Sequence, residues 1–294
     1  MRNFFRLVLG LIIIGGIAGW IVTAPQTMAG ADVPARAGDP ENGEAVFWAA
    51  GCAACHSAPE AEGDARLVLA GGRAFASDFG TFYAPNVSPD PTVGIGGWSE
   101  REFLNAVMRG VSPEGQHYYP AFPYGTYARA NIEDMQDLWA YLQTLPADAT
   151  PSRAHDVGFP FSIRRALGGW KWLYSSDDWV MAGDNLTPEL QRGRYLVEAL
   201  GHCAECHTAR TGLGGLRRDQ WLMGAPNPSG DGRIPDITPA RLTWSASDIA
   251  NYLRDGCTPD FDVVSGSMVE VIGGLSNLPD TDRAAIAAYL RALP

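Results

Sequence analysis

The chain has 294 residues and a formal net charge of −11 at pH 7, which is enough length for two domains of ordinary size. Because phosphate backbones demand a basic binding face, this acidic balance argues against nucleic acid as a partner. The 34 glycines and 21 prolines indicate compact, loop-rich domains rather than long helical bundles.

The amino terminus carries a membrane signal. Arg2 and Arg6 precede an apolar run over residues 7–22, which predicts that the amino terminus stays in the cytoplasm and the rest is exported. Two interpretations compete. A signal peptide would be cleaved near Thr27-Met28-Ala29, whereas a retained anchor needs about 20 apolar residues, which residues 4–23 supply. We favour the anchor because the run exceeds the usual signal-peptide core of about 7–15 residues.

Two short motifs of one form stand in the body, Cys52-Ala53-Ala54-Cys55-His56 and Cys203-Ala204-Glu205-Cys206-His207. Cys-x-x-Cys-His is the attachment pattern of c-type haem. The two thiols reach the two vinyl groups of one porphyrin as thioethers, and the next residue presents its imidazole to the iron. We therefore predict two covalently attached haem c groups, held by Cys52, Cys55, Cys203 and Cys206, with His56 and His207 as iron ligands.

Other interpretations of these cysteines fit the spacing less well. A zinc ribbon places its Cys-x-x-Cys pairs roughly 15–20 residues apart, whereas Cys52 and Cys203 are separated by a whole domain. Disulfides in an exported protein would leave both adjoining histidines unexplained. The fifth cysteine, Cys257, is predicted to be a small buried apolar residue.

The sequence after the N-terminal segment is an internal repeat of two similar halves. In each half a capped helix leads to the haem motif, a Gly-rich loop and a Pro-containing turn follow, an amphipathic helix ends in glycine, and a last helix ends at Leu-Pro. The marker residues are Asp39-Pro40 and Thr187-Pro188 at the first helices, Asn86-Val87-Ser88-Pro89 and Asp236-Ile237-Thr238-Pro239 at the turns, Trp98-Ser99 and Trp244-Ser245 at the amphipathic helices, Gly110 and Gly256 at their ends, and Leu145-Pro146 and Leu293-Pro294 at the close.

These features predict an all-α fold: two tandem cytochrome c domains, each around one covalently bound haem, after an N-terminal transmembrane helix. A covalently held porphyrin supplies the apolar surface that three helices per domain lack. The predicted segments are a membrane anchor or signal segment over 1–33, domain 1 over 34–146, an aromatic connector over 147–184, and domain 2 over 185–294. The connector is predicted to be a strap that packs over both domains and fixes their orientation. The alternatives are ordinary interdomain core, which is the more common case, and a docking surface for a partner.

Further motifs accompany the haem sites: Leu69-Ala70-Gly71-Gly72, Ala84-Pro85-Asn86-Val87-Ser88-Pro89-Asp90, Gly94-Ile95-Gly96-Gly97-Trp98, Tyr119-Pro120-Ala121-Phe122-Pro123-Tyr124, Gly193-Arg194-Tyr195-Leu196 and Gly201-His202-Cys203. Together they make the chain resemble the membrane-bound multihaem cytochrome c subunits of bacterial alcohol, gluconate and aldehyde dehydrogenases. The likeness covers most of residues 39–294. This chain has two haem motifs where those subunits often carry three.

A low-spin electron-transfer haem needs a sixth iron ligand, commonly methionine, which raises the potential. In domain 2 we predict Met268, because such cytochromes place the ligand about twenty residues before the final Ala-Tyr-Leu. Met223, in the loop after the haem motif, is predicted to be core filler.

Domain 1 departs from the pattern. The subunits it resembles carry Tyr-Pro-Ala-Met-Pro-Tyr, and that methionine is their ligand, but the matching residue here is Phe122. Met108 and Met135 fall in predicted helices and are interpreted as core. His117, five residues before Phe122, is a candidate ligand only; its alternatives are an exposed loop histidine or a propionate partner, with five-coordinate iron as a third possibility.

The predicted function is electron transfer by a dihaem cytochrome c anchored to the cytoplasmic (inner) membrane, with its haem domains in the periplasm. It would accept electrons from a periplasmic dehydrogenase and pass them to an oxidase, another cytochrome or quinone. No catalytic residue of its own is required, since the haems carry the redox work. The alternative is a dihaem enzyme of peroxidase or thiosulfate dehydrogenase type, with the domain 1 haem as its reactive site.

Overall fold

The computed structural model describes residues 1–183, 185–228, 230 and 232–294. It confirms the predicted all-α fold, with two small hairpins added. The α-helices are α1 (Arg2–Val22), α2 (Pro40–Ala49), α3 (Cys52–His56), α4 (Glu100–Arg109), α5 (Tyr124–Tyr127), α6 (Ile132–Leu142), α7 (Ala166–Tyr174), α8 (Pro188–Tyr195), α9 (Ala204–His207), α10 (Ala246–Asp255), α11 (Met268–Leu275) and α12 (Asp280–Ala292). The strands are β1 (Ala74–Ser77), β2 (Gly80–Tyr83), β3 (Ala225–Pro226) and β4 (Arg233–Ile234).

Helix α1 is 21 residues long and none of its residues is buried. Within the described parts of the chain it is the one helix long and apolar enough to cross a membrane. The segment after it packs on domain 1, where Met28 is 6% exposed and its backbone N–H donates to Asn105 Oδ1 at 2.7 Å. Met28 is thus a core residue, although the alternative cleavage near Ala29 would remove it.

The helix starts and ends form as the capping residues predict. The Asp39 side chain accepts from the Glu41 N–H at the start of α2, and Thr187 accepts from the Leu190 N–H at the start of α8. Helices α4 and α10 each begin with a capping box and end at a glycine with left-handed backbone, Gly110 (φ 58°) and Gly256 (φ 75°). The two halves therefore repeat in backbone geometry as well as in sequence.

The first and last helices of each domain cross in close contact. Helix α2 packs on α6, and α8 packs on α12. Glycines stand at both crossings: a Cβ added to Gly43 would strike the Asp137 backbone and Tyr141, and one added to Gly193 would strike the Ala285 backbone and Tyr289. These tyrosines belong to the Ala-Tyr-Leu sequences of the last helices, so both domains have the same glycine–tyrosine packing at the helix crossing.

Two antiparallel hairpins lie where the sequence predicted Gly-rich loops. Strands β1 and β2 pair with Phe75 opposite Phe82, and β3 and β4 pair with Ala225 opposite Ile234. The sequence of β2 is aromatic and β-branched after its glycine, which favours extended backbone. Its outer edge is covered, because Thr81 exchanges two backbone hydrogen bonds of 2.9 Å with Asp156 of the connector.

The connector contacts both domains. On the domain 1 side, Lys171 Nζ donates to the carbonyl oxygens of Arg109 and Gly110 at 2.6 and 2.8 Å. On the domain 2 side, Trp170 Nε1 donates to the Leu213 carbonyl oxygen at 2.8 Å. This agrees with the predicted strap. The predicted end of the connector, residue 184, lies outside the described residues.

Two predictions about buried residues are wrong. Cys257 is exposed, since it follows the glycine that ends α10 and pairs with Val263 in an outer hairpin turn. Met223 is 51% exposed, because it lies in a turn whose neighbour, Leu222, fills the core position instead. Met108 and Met135 are core residues as predicted, at 8% and 0% exposure.

Candidate functional site

The first motif forms the short helix α3, directly after α2. Cys52 and Cys55 are free thiols and partly buried. The Nδ1–H of His56 donates to the Pro85 carbonyl oxygen at 2.9 Å. Burial lowers the pKa of His56, while the bond to Pro85 opposes this, so the imidazole is neutral at pH 7. A neutral ring with Nδ1 donating keeps the lone pair of Nε2 for an iron.

The second motif has the same geometry. Cys203 and Cys206 are free thiols. Cys203 caps the start of α9, and Cys206 lies within that helix. The Nδ1–H of His207 donates to the Pro235 carbonyl oxygen at 2.8 Å, and burial again lowers the pKa of this histidine. Both histidines are thus fixed in one tautomer by the carbonyl of a proline that stands just before the predicted turn.

The thiols fit covalent attachment better than metal coordination. Burial raises the pKa of Cys52 to about 12, and it raises the pKa of Cys203 to about 12 as well. In the metal-free protein, burial therefore disfavours the thiolate form by which zinc is held. In the described part of the chain, no group of three or more His, Cys, Asp or Glu side chains is arranged to hold a metal ion. The residues present fit a haem c at each motif.

A glycine ties the loop after each motif to its histidine. The Gly71 N–H donates to the His56 carbonyl oxygen, and the Gly224 N–H donates to the His207 carbonyl oxygen, both at 2.7 Å. Their φ angles are 76° and 80°, in the left-handed region. A Cβ at Gly71 would lie 2.5 Å from Pro85, the residue that holds the His56 ring. Because Gly71 has no side chain, Pro85 can come close enough to the first motif to bond the His56 ring.

The two motifs lie against each other. The carbonyl oxygen of Ala50, just before the first motif, accepts from Tyr127 Oη at 2.8 Å and from His202 Nε2 at 3.2 Å. His202 immediately precedes Cys203. Burial raises the pKa of Cys55 to about 11, Arg73 opposes the shift, and Cys206 of the other domain adds to it.

Each domain also sends its later segment to the motif of the other. Helix α11, at whose first residue Met268 stands, contacts α3. Glu270 in α11 pairs with Arg73 at 2.9 Å and with Arg66 at 3.5 Å. In the other direction, Thr126 Oγ1 of α5 donates to Oε1 of Glu205, inside the second motif, at 3.2 Å. The contact between the domains is reciprocal, and the haem motifs are at its centre.

Phe122 and Met268 hold equivalent positions in the repeat. In domain 1 the Tyr118 N–H donates to the Gly110 carbonyl oxygen at 2.8 Å, and in domain 2 the Val264 N–H donates to that of Gly256 at 2.8 Å. Phe122 lies four residues after Tyr118, and Met268 lies four residues after Val264, so the two residues are equivalent in the repeat. The Phe122 ring packs on Tyr127, with ring centroids 6.0 Å apart.

His117 is buried, so the alternative that it is an exposed loop histidine is wrong. It pairs with Val111 in a hairpin, and the equivalent residue of domain 2 is Val263, which pairs with Cys257. His117 is 2% exposed, and its Nε2–H donates to the Thr23 carbonyl oxygen at 2.9 Å. To bind iron through Nε2 the ring would have to leave Thr23. As an iron ligand His117 stays a prediction, while its observed bond ties the end of α1 to domain 1.

Four residues that support the two motifs lie outside the predicted site residues. They are Pro85, Pro235, Gly224 and Glu270. A signal for the prolines was present, since one precedes the Asn/Asp turn in both halves. No comparable pattern marks Glu270, because its partners Arg66 and Arg73 lie about two hundred residues away in the chain.

Comparison with known proteins agrees with this geometry. Residues 40–146 match the protein family described as cytochrome c. Over its full length the chain is 51% identical to a "Diheme cytochrome c-type" protein of Cereibacter sphaeroides, covering 99% of that protein. It is 38% identical over 288 residues to the fructose dehydrogenase cytochrome subunit of Gluconobacter japonicus, and 33% identical over 311 residues to the gluconate 2-dehydrogenase cytochrome c subunit of Pantoea cypripedii. The matches include 95% and 100% of this chain but span only 57% and 65% of those two subunits.

Proposed function

The chain belongs to the family of dihaem c-type cytochromes, which transfer electrons, and on that premise we propose that it relays electrons from a periplasmic dehydrogenase to the respiratory chain. The observation that carries the proposal is the reciprocal contact that brings the two haem motifs together around Ala50. Two haem motifs that meet at one interface suit a relay.

In this proposal the chain holds two haem c groups, one in each domain. Cys52 and Cys55 form the thioethers of the first, and Cys203 and Cys206 those of the second. When bound, each group supplies one-electron redox chemistry. The protein fixes the proximal ring by the carbonyls of Pro85 and Pro235, which hold His56 and His207 in the tautomer that offers Nε2.

In this proposal the two haems differ in reduction potential, because different residues face the sixth coordination position of each iron. Thioether sulfur favours ferrous iron, so a His207/Met268 site has the higher potential. Domain 1 has Phe122 at the equivalent position and therefore the lower potential, with His117, water or no ligand on that side. Electrons would enter at domain 1 and leave from domain 2. The dehydrogenase donor is inferred from the relatives, which include cytochrome subunits of fructose and gluconate dehydrogenases. The acceptor is an oxidase, another cytochrome or quinone.

We place the protein in the cytoplasmic membrane through a retained α1, with both haem domains in the periplasm. Burial of Met28 supports retention, because cleavage near Ala29 would open the domain 1 core and remove the partner of Asn105. The positive residues Arg2 and Arg6 support a cytoplasmic amino terminus. Amino-terminal sequencing of protein from its native host should begin at the first residues; a start near Gly30 would overturn the anchor.

The decisive experiment mixes the purified holoprotein with membrane-associated sugar and alcohol dehydrogenases of its own host, each with its substrate. Reduction of both haems at a rate matching dehydrogenase turnover is expected from one of them. Failure with all of them would overturn the donor assignment. The alternative, a dihaem enzyme, is not favoured by the relatives, which are cytochrome subunits. It predicts peroxide or thiosulfate turnover without any dehydrogenase.

A further inference from the structure

Helix α7 of the connector packs against the last turn of the anchor. Arg165, just before α7, donates to the Trp20 carbonyl oxygen, and its guanidinium lies 4.1 Å from the centroid of the Trp20 ring. Gly168 faces Thr23 so closely that a Cβ would strike the Thr23 backbone. A Cβ at Gly169 would lie 3.9 Å from the Thr23 side chain. The start of α7 is therefore at the level where α1 ends.

One turn further along the same face, α7 presents large apolar side chains to solvent. Trp172 follows Gly168 by four residues and Leu173 follows Gly169 by four, so they lie on the helix face that meets α1. Trp172 is 74% exposed and Leu173 is 58% exposed. One helical turn advances by about 5.4 Å, so both residues lie one turn beyond the anchor contact.

The opposite face of α7 is occupied by protein. Lys171 caps the carboxyl end of α4, and Tyr174 packs on Gly215 of domain 2. The outward face carries Ala166, Gly169, Trp172 and Leu173 and no charge. Such a one-sided apolar helix, here preceded by Arg164 and Arg165, is typical of segments that lie in the headgroup region of a bilayer, and Trp is enriched there.

We propose that α7 is an interfacial membrane helix, whose Trp172 and Leu173 insert into the headgroup region of the leaflet from which α1 emerges. The occupant of this exposed face is lipid, because the face continues the surface at which the anchor leaves the membrane. This inference rests on the retained anchor proposed above. It adds a second contact, which holds the connector, and through it both haem domains, against the bilayer.

The test uses the full-length holoprotein in lipid nanodiscs that contain no other membrane protein. Cys257→Ser removes the exposed thiol, and the haem cysteines are consumed as thioethers. Trp172→Cys is then compared with Val263→Cys, an equally apolar position that is 73% exposed in the domain 2 hairpin. A charged, water-soluble maleimide should modify position 172 roughly tenfold more slowly than position 263, because lipid excludes the reagent.

Equal rates at the two positions would overturn the proposal. So would slow modification of position 172 only in native membranes, which would indicate a protein partner on this face instead. The intact mass of each sample shows whether α1 is present, and the haem absorbance shows that both domains are folded. Loss of α1 would refute the anchor itself, whereas equal rates with α1 present would refute only the interfacial helix.

Discussion

Glu270, two residues after Met268, pairs with Arg73 of the other domain at 2.9 Å. Arg73 stands in the Gly-rich segment that follows the first haem motif, so this ion pair joins the start of α11 in domain 2 to that segment of domain 1. The Glu270 side chain is 30% exposed and the Arg73 side chain is 26% exposed, so water screens the attraction between their charges only in part.

Replacing the carboxylate should shift a potential. Glu270→Gln removes a negative charge beside the interface, and because an anion stabilises ferric iron, the haem nearest it should rise in potential by a few tens of millivolts. Redox titration of the holoprotein measures the shift. Glu114→Gln, on an exposed turn of domain 1, is the control and should change neither haem. Equal effects of the two variants would contradict a specific role for Glu270.

Installing the missing methionine should make the two sites alike. Phe122→Met places a thioether at the position equivalent to Met268, so the domain 1 potential should rise by on the order of 100 mV and the gap between the haems should narrow. A second ferric methionine–iron band at the red end of the visible spectrum should accompany it. Met135→Leu, in the core, should leave the bands unchanged. Two equal methionine bands in the unaltered protein would refute the assignment.

Removing the methionine of domain 2 should have the opposite result. Met268→Leu keeps an apolar side chain of similar volume but no sulfur, so the methionine–iron band should vanish and one potential should fall by on the order of 100 mV or more. Met223→Leu is the matched control and should leave the band and both potentials unchanged. Absorbance spectra and redox titration of the two variants make the comparison. If Met223→Leu abolished the band instead, the ligand would be the exposed methionine.

Asp137 should make domain 1 sensitive to acid. Burial alone would raise the pKa of Asp137, but the Asp39 N–H, Arg36 and Asn42 together hold that pKa below its usual value. The stabilisation is therefore present above the unfolded-state pKa and is lost as pH falls through the lower, folded-state pKa. Asp137→Asn should lower the free energy of unfolding by about 1–3 kcal/mol at pH 7.

The difference between Asp137→Asn and the unaltered protein should begin to shrink as the pH falls below the unfolded-state pKa of about 4, and it should be lost as the pH falls through the lower folded-state pKa. Denaturant unfolding followed by the haem absorbance at several pH values measures it. Asp177→Asn, in the exposed part of the connector, should be neutral throughout. A constant difference at every pH would show that the carboxylate charge contributes nothing.

The helix crossing should tolerate no side chain. Gly43→Ala pushes a methyl group into the Asp137 backbone, so α2 and α6 must separate, at a cost of about 1–3 kcal/mol in unfolding free energy. Gly125→Ala in α5 has open space around its Cβ and should be neutral or slightly stabilising. Thermal unfolding of both variants decides this, and equal melting temperatures would contradict the close crossing.

Local chemistry made most of the fold predictable. Asp39, Ser99 and Gly110 act on backbone within a few residues of themselves, so the helix starts and ends follow from sequence. The Glu270–Arg73 pair and the meeting of Tyr127 with His202 at Ala50 depend on how two domains dock, which no local pattern specifies. Cys257 was misjudged because its apolar character predicts burial, while its place in an outer turn exposes it.

With α1 retained in the membrane as proposed above, the bond from His117 to Thr23 joins the end of the span directly to domain 1, without a free tether. A tethered cytochrome would sample many heights and orientations before a productive collision. One mounted in this way moves only in the plane of the membrane and presents the same side to every partner. The search for an encounter is then two-dimensional, and a partner whose redox centre sits at another height above the bilayer is excluded by geometry alone.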